Sequence, residues 1–306
     1  MQTDALPRRT AIVLLAIVIC AWGTNWIVGK ALLQYLPPIW STALRTVPAC
    51  ITLWAICLTS GRHRWPVKAD IPIVLSVSLL HMVAFSVLAS IGLQYLPAGR
   101  SVVLAYTTPL WVLPAARIFL KEPLTLRRGT GLLLGMAGLI FMVRPAAVDW
   151  TNRDVLLGHG LILLAAACWA ACIVYGRAHR WVTPPFSLLP WQTLLAGAAQ
   201  LLLAFWLEGR PHIPWSMELG VLLGYSSLVG TVLAYWAMNT VNRGLPASVT
   251  SMALLGVPVV GLATSSLALG EPLDATLMLA TALIVAGVAL GTRDATLSAT
   301  LPASRR

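Results

Sequence analysis

Long apolar runs separated by short polar connections cover this chain almost from end to end. A bilayer core about 30 Å thick needs about 20 apolar residues in a helix that rises 1.5 Å per residue. Measured against that length, the pattern predicts ten membrane-spanning helices and an all-α integral membrane fold. The predicted spans are 11–30, 39–59, 71–93, 98–119, 125–143, 157–176, 186–207, 217–240, 246–268 and 274–291.

Composition supports the membrane assignment. Of the 306 residues, 58% are hydrophobic and 10% are charged, whereas a soluble domain carries about 25% charged residues. The formal charge of +11 comes from short basic clusters between apolar runs. Such clusters are not the continuous basic face that binds phosphate backbones. We therefore expect the lipid bilayer as partner and no nucleic acid.

The Lys and Arg residues also predict an orientation. With a cytoplasmic N-terminus, fifteen of the 21 fall on the cytoplasmic side and five on the other, and Arg45 lies inside a span. The excess of positive charge marks the cytoplasmic face. Both termini, including a tail at 293–306, are therefore expected in the cytoplasm. The first run continues through Trp22 and Trp26 without a small-x-small cleavage site, so we interpret it as a helix, not a signal peptide.

The second half of the chain repeats the first at an offset of 147 to 149 residues. Leu96-Pro97-Ala98 returns as Leu245-Pro246-Ala247, Pro109 as Pro258, and Glu122-Pro123-Leu124 as Glu271-Pro272-Leu273. Five helices are an odd number, so the second copy must enter the membrane from the opposite face. The sequence thus predicts two inverted five-helix repeats, at 11–144 and 157–292.

Each repeat opens with a tryptophan-bearing helix and closes with a mid-helix proline followed by Glu-Pro-Leu. The opening motifs are Ala21-Trp22-Gly23 and Cys168-Trp169-Ala170. In these features the chain resembles the EamA family of the drug/metabolite transporter superfamily. The resemblance implies a ten-helix bacterial inner-membrane exporter of amino acids or related metabolites. It also implies a central pathway lined by helices 1, 3, 4, 6, 8 and 9, with helices 5 and 10 packed apart. One departure is that Cys172 stands where the first repeat has Asn25.

Polar residues at bilayer depth are costly and are therefore the first candidates for function. All ten acidic residues fall in or at the edge of connections, which makes proton antiport through a carboxylate the less expected mechanism. His81 lies ten residues into its predicted span, near the midplane. Its imidazole could bind substrate or take a proton. The alternative is a neutral ring bonded to the backbone of a neighbouring helix.

Two symmetry-related tryptophans, Trp22 and Trp169, fall near mid-bilayer, although tryptophan prefers the membrane interface. Asn25 shares the face of Trp22 because it lies three residues further along the helix. We predict that these three residues line a substrate cavity. Plain packing between helices is the alternative.

Two prolines interrupt equivalent spans. Tyr106 and Thr107 carry hydroxyls just before Pro109, whose missing amide frees a carbonyl one turn back. We predict that the two hydroxyls meet the solute and that Pro109 and Pro258 form matched kinks for gating. The alternative is that the prolines only bend helices for packing.

Arg45 lies about six residues, or roughly 9 Å, from the outer end of the second span. It could attract a substrate carboxylate, with Gln192 as its polar counterpart in the second half, or it could snorkel to the interface. Two further features predict helix stabilisation and no site. Small residues in the fifth and tenth spans, such as Gly131, Gly135 and Gly287, form contact faces. Glu122 and Glu271, with Thr125 and Asp274 in matching cap-like positions, stabilise the starts of the helices that follow them.

The leading functional hypothesis is a secondary transporter that exports a small metabolite, an amino acid or a derivative, by alternating access. A multidrug or other metabolite exporter of the same superfamily is the alternative. A membrane enzyme would need a cluster of catalytic residues that the sequence does not suggest, and a structural scaffold would not need the duplication. We expect no metal, cofactor or disulfide, because the five cysteines lie in apolar runs. The oligomeric state is left open, and a monomer is compatible with the pattern.

Overall fold

The structure is a computed structural model that describes residues 8–121, 125–143, 151–244 and 254–300. Within these ranges the chain is helical and contains no strand. The α-helices are α1 (Arg8–Leu32), α2 (Pro38–Thr59), α3 (Ile71–Ser76), α4 (Ser86–Tyr95), α5 (Ala98–Ala105), α6 (Thr108–Phe119), α7 (Leu126–Val143), α8 (Arg153–Ala178), α9 (Pro185–Leu207), α10 (Met217–Gly224), α11 (Ala234–Gly244), α12 (Gly256–Leu269) and α13 (Ala275–Thr300). The motif residues Glu122 and Pro246 and the last residues of the tail, 301–306, lie outside the described ranges.

Seven helical segments of the described chain are long and apolar enough to cross a membrane. They are Arg9–Leu32, Pro38–Thr59, Lys68–Tyr95, Ala98–Phe119, Arg153–Ala178, Pro185–Leu207 and Met217–Met238. Three shorter apolar helices cover Gly129–Phe141, Gly256–Leu269 and Ala275–Leu290. The expectation of an all-α integral membrane protein is thus confirmed. The three shorter helices coincide with the fifth, ninth and tenth predicted spans, so the number ten stays a prediction.

A π-helix of nine residues interrupts one long helix in each half of the chain. The first covers Val77–Phe85, between α3 and α4, and the second covers Tyr225–Leu233, between α10 and α11. The two segments are separated by 148 residues, the offset of the sequence repeat. Since π-helical stretches are rare and cluster at functional sites, their matched positions indicate duplicated local structure.

Small residues bring several helices into close contact, most tightly α7 and α13. A Cβ atom at position 287 would lie 2.5 Å from the carbonyl oxygen of Gly131 and 2.5 Å from the nitrogen of Gly135. A Cβ atom at position 138 would likewise lie 2.8 Å from the carbonyl oxygen of Ala280. The predicted contact face between these helices is confirmed.

The fourth long segment is broken in the middle. Helix α5 ends at Ala105 and α6 begins at Thr108, with Pro109 in its first turn. Pro109 has no N–H for the Ala105 carbonyl, and the Thr108 hydroxyl donates to that carbonyl instead, at 2.7 Å. The Thr107 hydroxyl donates to the Leu104 carbonyl, also at 2.7 Å. Both carbonyls at the break therefore have hydrogen-bond partners, although the regular helix is interrupted there.

Charged side chains complete helix ends across the bundle on one face of the molecule. The Glu271 carboxylate accepts from the N–H groups of Ala98 (2.6 Å) and Gly99 (2.9 Å), at the start of α5. The expectation that Glu271 stabilises the helix that follows it is therefore wrong. The expectation for Asp274 is confirmed, because its carboxylate accepts from the Leu277 N–H at 2.7 Å, in the first turn of α13. Next to α5, the Lys30 ammonium donates to the Leu93 carbonyl, at 2.6 Å, near the end of α4.

Two further carboxylates act in the same way. Glu208, at the end of α9, accepts from the N–H groups of Ile39 and Trp40, both at 3.0 Å, in the first turn of α2. Asp70, before α3, accepts from the N–H groups of Val182 (3.2 Å) and Thr183 (2.7 Å), just before α9. Because the first turn of a helix exposes N–H groups and the positive end of its dipole, a carboxylate is a favourable partner there. The second half of the chain thus caps two helices of the first, and the first half binds the backbone that precedes α9 in the second.

Candidate functional site

A cavity of about 150 Å³ opens between the two halves of the bundle. The first half contributes walls from α1, α2, the first π-helix and α4, together with Tyr106 at the break between α5 and α6. The second half contributes from α8, α9, the second π-helix and α11. Each water centre needs about 10–15 Å³, so the cavity has room for about ten water molecules. Ten water molecules occupy about 300 Å³ in the liquid. That volume is at the lower end of the roughly 300–1,000 Å³ typical of small-molecule sites.

Six of the eight predicted substrate-binding residues line this cavity: Trp22, Asn25, Arg45, His81, Tyr106 and Trp169. They come from five separate segments of the chain, since Trp22 and Asn25 share α1, so the fold brings together residues that are distant in sequence. The other two predicted residues, Thr107 and Gln192, do not line it.

Thr107 and Gln192 lie behind the cavity wall. The Thr107 side chain is buried and is held by the Leu104 carbonyl, and it accepts from the Trp111 indole N–H at 3.3 Å. Gln192 is also buried, and its backbone carbonyl accepts from the Ser78 hydroxyl at 3.1 Å. The neighbour of each residue, Tyr106 or Thr193, is the one that reaches the cavity.

Aromatic rings form one wall of the cavity, with Trp169 at their centre. The His81 ring stacks on Trp169 with centroids 5.2 Å apart and planes 4° apart. Tyr106 meets Trp169 edge-on at 5.7 Å, and Phe85 lies 5.2 Å from it. Offset-stacked and edge-on pairs are the favourable aromatic geometries. The tryptophan of the second half is therefore packed mainly on rings of the first.

A second group of rings extends this wall. Trp22 meets Tyr235 edge-on at 6.1 Å, and the Tyr235 hydroxyl lies 3.4 Å from Nδ1 of His81. Trp26 meets Phe85 at 6.5 Å with perpendicular planes. His81 thus contacts side chains of both halves, and its described hydrogen-bond partner is a side-chain hydroxyl, not the backbone of a neighbouring helix.

Arg45 and Asn25 supply polar groups to the same cavity. Arg45 lies between Thr42 and Thr46 on α2, is partly accessible, and lines the cavity. The carbonyl oxygen of Asn25, Oδ1, is buried without a hydrogen-bond partner among the described residues. It packs against Gly230, where a Cβ atom would lie 2.5 Å from it. A glycine at 230 is thus needed for Asn25 to keep its place.

Neither proline predicted to gate the pathway lines the cavity. Pro109 lies in the first turn of α6, three residues after Tyr106, and the buried Pro258 lies in the first turn of α12. Helix α12 packs against α1 and α5 through Gly261, where a Cβ atom would lie 2.8 Å from Val102. The resemblance implied that the ninth helix lines the pathway, but the described part of α12 faces its neighbours here, whereas α2 and α9 contribute walls.

Several hydroxyl-bearing residues line the cavity but were not predicted from the sequence. They are Ser41, Thr42, Thr46, Ser86, Ser90, Thr193, Thr231 and Tyr235. A signal was present, because three pairs of them are spaced four residues apart within predicted spans. That spacing places both members of a pair on one helix face. Hydroxyl pairs at bilayer depth therefore deserve the same weight as isolated charged residues.

The fold and the cavity define a class: helical integral membrane proteins with an aromatic site between two similar halves. A profile of the EamA-like transporter family matches the chain twice, at residues 9–144 and 156–293. The chain therefore belongs to the EamA-like transporter family, and its relatives are transporters of the drug/metabolite superfamily.

Curated relatives align over most of the chain. The "Uncharacterized transporter YvbV" of Bacillus subtilis is 29% identical over 286 residues, 93% of this chain and 92% of that protein. The "Probable amino-acid metabolite efflux pump" of Salmonella typhimurium is 25% identical, over 89% of this chain and 91% of that one. The "Uncharacterized inner membrane transporter YedA" of Escherichia coli is 28% identical, over 94% and 91%.

One solved structure, described as "Crystal structure of protein", has the same overall fold. It superposes with a TM-score of 0.65 at 19% sequence identity, covering 96% of this chain and all of that one.

Proposed function

We propose that this transporter exports small metabolites, amino acids or their derivatives, from a bacterial cytoplasm through the aromatic-lined cavity. The observation that carries the proposal is that walls of the cavity come from both halves of the chain, with His81 of one half stacked on Trp169 of the other. A relative movement of the halves therefore changes the site itself. Such a movement is the basis of alternating access in transporters built from repeats.

The proposed topology has ten spans arranged as two inverted repeats, 11–144 and 157–292. The double match to the family profile, the π-helices 148 residues apart and the ten apolar helices of the described chain support it. The charge asymmetry supports cytoplasmic termini, and the tail at 293–306 would follow the last span in the cytoplasm.

The proposed cycle rocks one repeat against the other. On the predicted outer face, Glu271 of the second repeat binds the backbone N–H groups at the start of α5 in the first. On the predicted inner face, Asp70 binds the backbone that precedes α9. These contacts between halves are the ones that would exchange as the cavity opens to either side, with bending at Pro109 and Pro258. No carboxylate is present among the described residues that line the cavity, so we propose no proton-carrying acid there.

A multidrug exporter is the second candidate. Tryptophan, tyrosine and phenylalanine faces attract organic cations as well as apolar solutes, and the cavity wall contains Trp22, Trp26, Phe85 and Trp169. Family membership indicates a transporter rather than an enzyme. Neither candidate function requires a cofactor, and neither depends on the oligomeric state of the protein.

Counterflow in proteoliposomes tests the function. A panel of labelled amino acids, acylated amino acids and organic cations would be exchanged against unlabelled solute. Trp169→Ala should reduce exchange of the transported solute at least tenfold, and Trp22→Ala and His81→Ala should reduce it as well. Trp206→Ala is the matched control, because Trp206 is 81% exposed on α9. Equal exchange by all four variants and the parent would refute the site.

The topology has its own test. In a background without the five native cysteines, Lys121→Cys and Leu273→Cys would be labelled with a membrane-impermeant maleimide in intact cells. Position 273 should react and position 121 should not, because inverted repeats place these equivalent connections on opposite faces. Labelling of both from one side would rule out the inversion.

A further inference from the structure

The cavity carries one formal charge, the guanidinium of Arg45. Among the described residues that line it there is no Asp, Glu or Lys. The remaining polar groups are hydroxyls, the amide of Asn25 and the imidazole of His81. A solute that enters this space therefore meets a positive charge surrounded by aromatic rings.

Arg45 differs from the other charged side chains inside the bundle. Lys30 is bound by backbone carbonyls, and Glu208 and Glu271 accept from backbone N–H groups. In the part of the chain that the structure describes, no acidic side chain forms an ion pair with Arg45, and its own carbonyl is bound by the Ser227 hydroxyl at 2.8 Å. A guanidinium that lines a cavity without a counter-ion favours an anionic ligand.

We propose that the cavity selects solutes with one carboxylate, no ammonium group and an apolar or aromatic body, which is the anionic subset of amino-acid derivatives and related acids. The inference rests on the proposed transport function. The carboxylate would bind the Arg45 guanidinium, which can donate two parallel N–H bonds to its oxygens. The body would lie against Trp22, Phe85 and Trp169, which line the same cavity.

A zwitterion fits this arrangement less well than an anion. Its ammonium would have to leave water within the same small space as Arg45, and the lining offers hydroxyl and amide oxygens but no carboxylate to neutralise it. A simple amine is the least favourable, because it brings a second positive charge and nothing to neutralise the first. The expected order of affinity is therefore anion, then zwitterion, then cation.

The charge of the solute also determines what drives its export. A monoanion that leaves the cell moves along the inside-negative membrane potential, whereas a zwitterion carries no net charge. Export of an anion can therefore proceed without a coupled ion, which agrees with a cavity lined by no carboxylate.

Binding of a matched series to the full chain in lipid nanodiscs tests the proposal. The probes share one phenyl body: 3-phenylpropionate (anion), L-phenylalanine (zwitterion), 2-phenylethylamine (cation) and 3-phenylpropanamide (neutral). We expect 3-phenylpropionate to bind at least tenfold more tightly than L-phenylalanine, and the amine to bind most weakly. Arg45→Gln should weaken 3-phenylpropionate at least tenfold and leave the neutral amide unchanged, with Arg45→Lys between. Binding of the amide shows that the variants are folded, and Arg62→Gln, in an exposed connection, should change nothing.

Proteoliposomes provide the second arm. A potassium diffusion potential that makes the interior positive should accelerate uptake of labelled 3-phenylpropionate. A rate independent of that potential, no saturable binding of 3-phenylpropionate, or tighter binding of the zwitterion or the amine would each overturn the proposal. Exchange of any other solute that Trp169→Ala abolishes would still support the transport function, so the two failures are distinguishable.

Discussion

Replacing Gly287 by alanine tests the closest helix contact of the fold. The new Cβ atom would lie 2.5 Å from the Gly131 carbonyl oxygen and from the Gly135 nitrogen, whereas carbon and oxygen normally approach to about 3.3 Å. Helices α7 and α13 would have to separate by roughly 0.8 Å, because the obstacle is backbone and no side chain can rotate away. Overpacking of this kind costs about 1–3 kcal/mol.

The expected loss is large enough to measure. At about 2–4 °C per kcal/mol, Gly287→Ala should lower the unfolding temperature in detergent by about 2–12 °C, as followed by tryptophan fluorescence at a fixed scan rate. Gly160→Ala is the matched control, because no atom lies within 4 Å of its added methyl. It should raise the temperature by about 1–4 °C, since a helical Gly→Ala change stabilises by about 0.5–1 kcal/mol.

Two outcomes would refute this reasoning. One is a Gly287→Ala variant as stable as Gly160→Ala. The other is a loss of solute exchange at a temperature where Gly287→Ala remains folded, because α7 and α13 contribute no described residue to the cavity.

Three further substitutions test the caps and the helix break. Glu271→Gln retains one acceptor for the two N–H groups of α5 and should cost about 1.5–3 kcal/mol; Asp154→Asn, on an exposed residue, is its control, and equal unfolding temperatures would contradict the cap. Asp70→Asn should destabilise by a similar amount, because its carboxylate accepts from Val182, Thr183 and His179, and unchanged protease sensitivity of the connection between α8 and α9 would speak against it. Thr108→Val keeps the shape but leaves the buried Ala105 carbonyl unbonded, so we expect a loss of about 1–3 kcal/mol; Thr264→Val, whose hydroxyl bonds within a regular helix, should cost less, and the reverse order would be decisive.

Much of the architecture could be predicted because the bilayer imposes one length on every span. The helical membrane fold, the family and the small-residue contact between α7 and α13 all follow from periodicity and repeated motifs. The π-helices could not be predicted in this way. Hydropathy reports burial, and it is insensitive to whether a carbonyl is bonded four or five residues further along.

Two site predictions failed by one residue. Tyr106 and Thr107 were both proposed and only Tyr106 lines the cavity, while Gln192 was proposed and its neighbour Thr193 lines it. Successive residues of a helix point about 100° apart, so an error of one position moves a side chain from the wall to the packing behind it. The role of Glu271 failed for a different reason. Its partners, Ala98 and Gly99, are distant in sequence, and no local pattern identifies them.

The carboxylates that bind backbone N–H groups across the two halves imply that neither repeat is stable without the other. Glu208 and Glu271 complete the first turns of α2 and α5 in the first half, while Asp70 serves the backbone before α9 in the second. A gene cut between the repeats would yield two fragments, each with backbone N–H groups that have lost their carboxylate partners. Such fragments should accumulate only when expressed together, because each supplies the carboxylates that bind the backbone of the other.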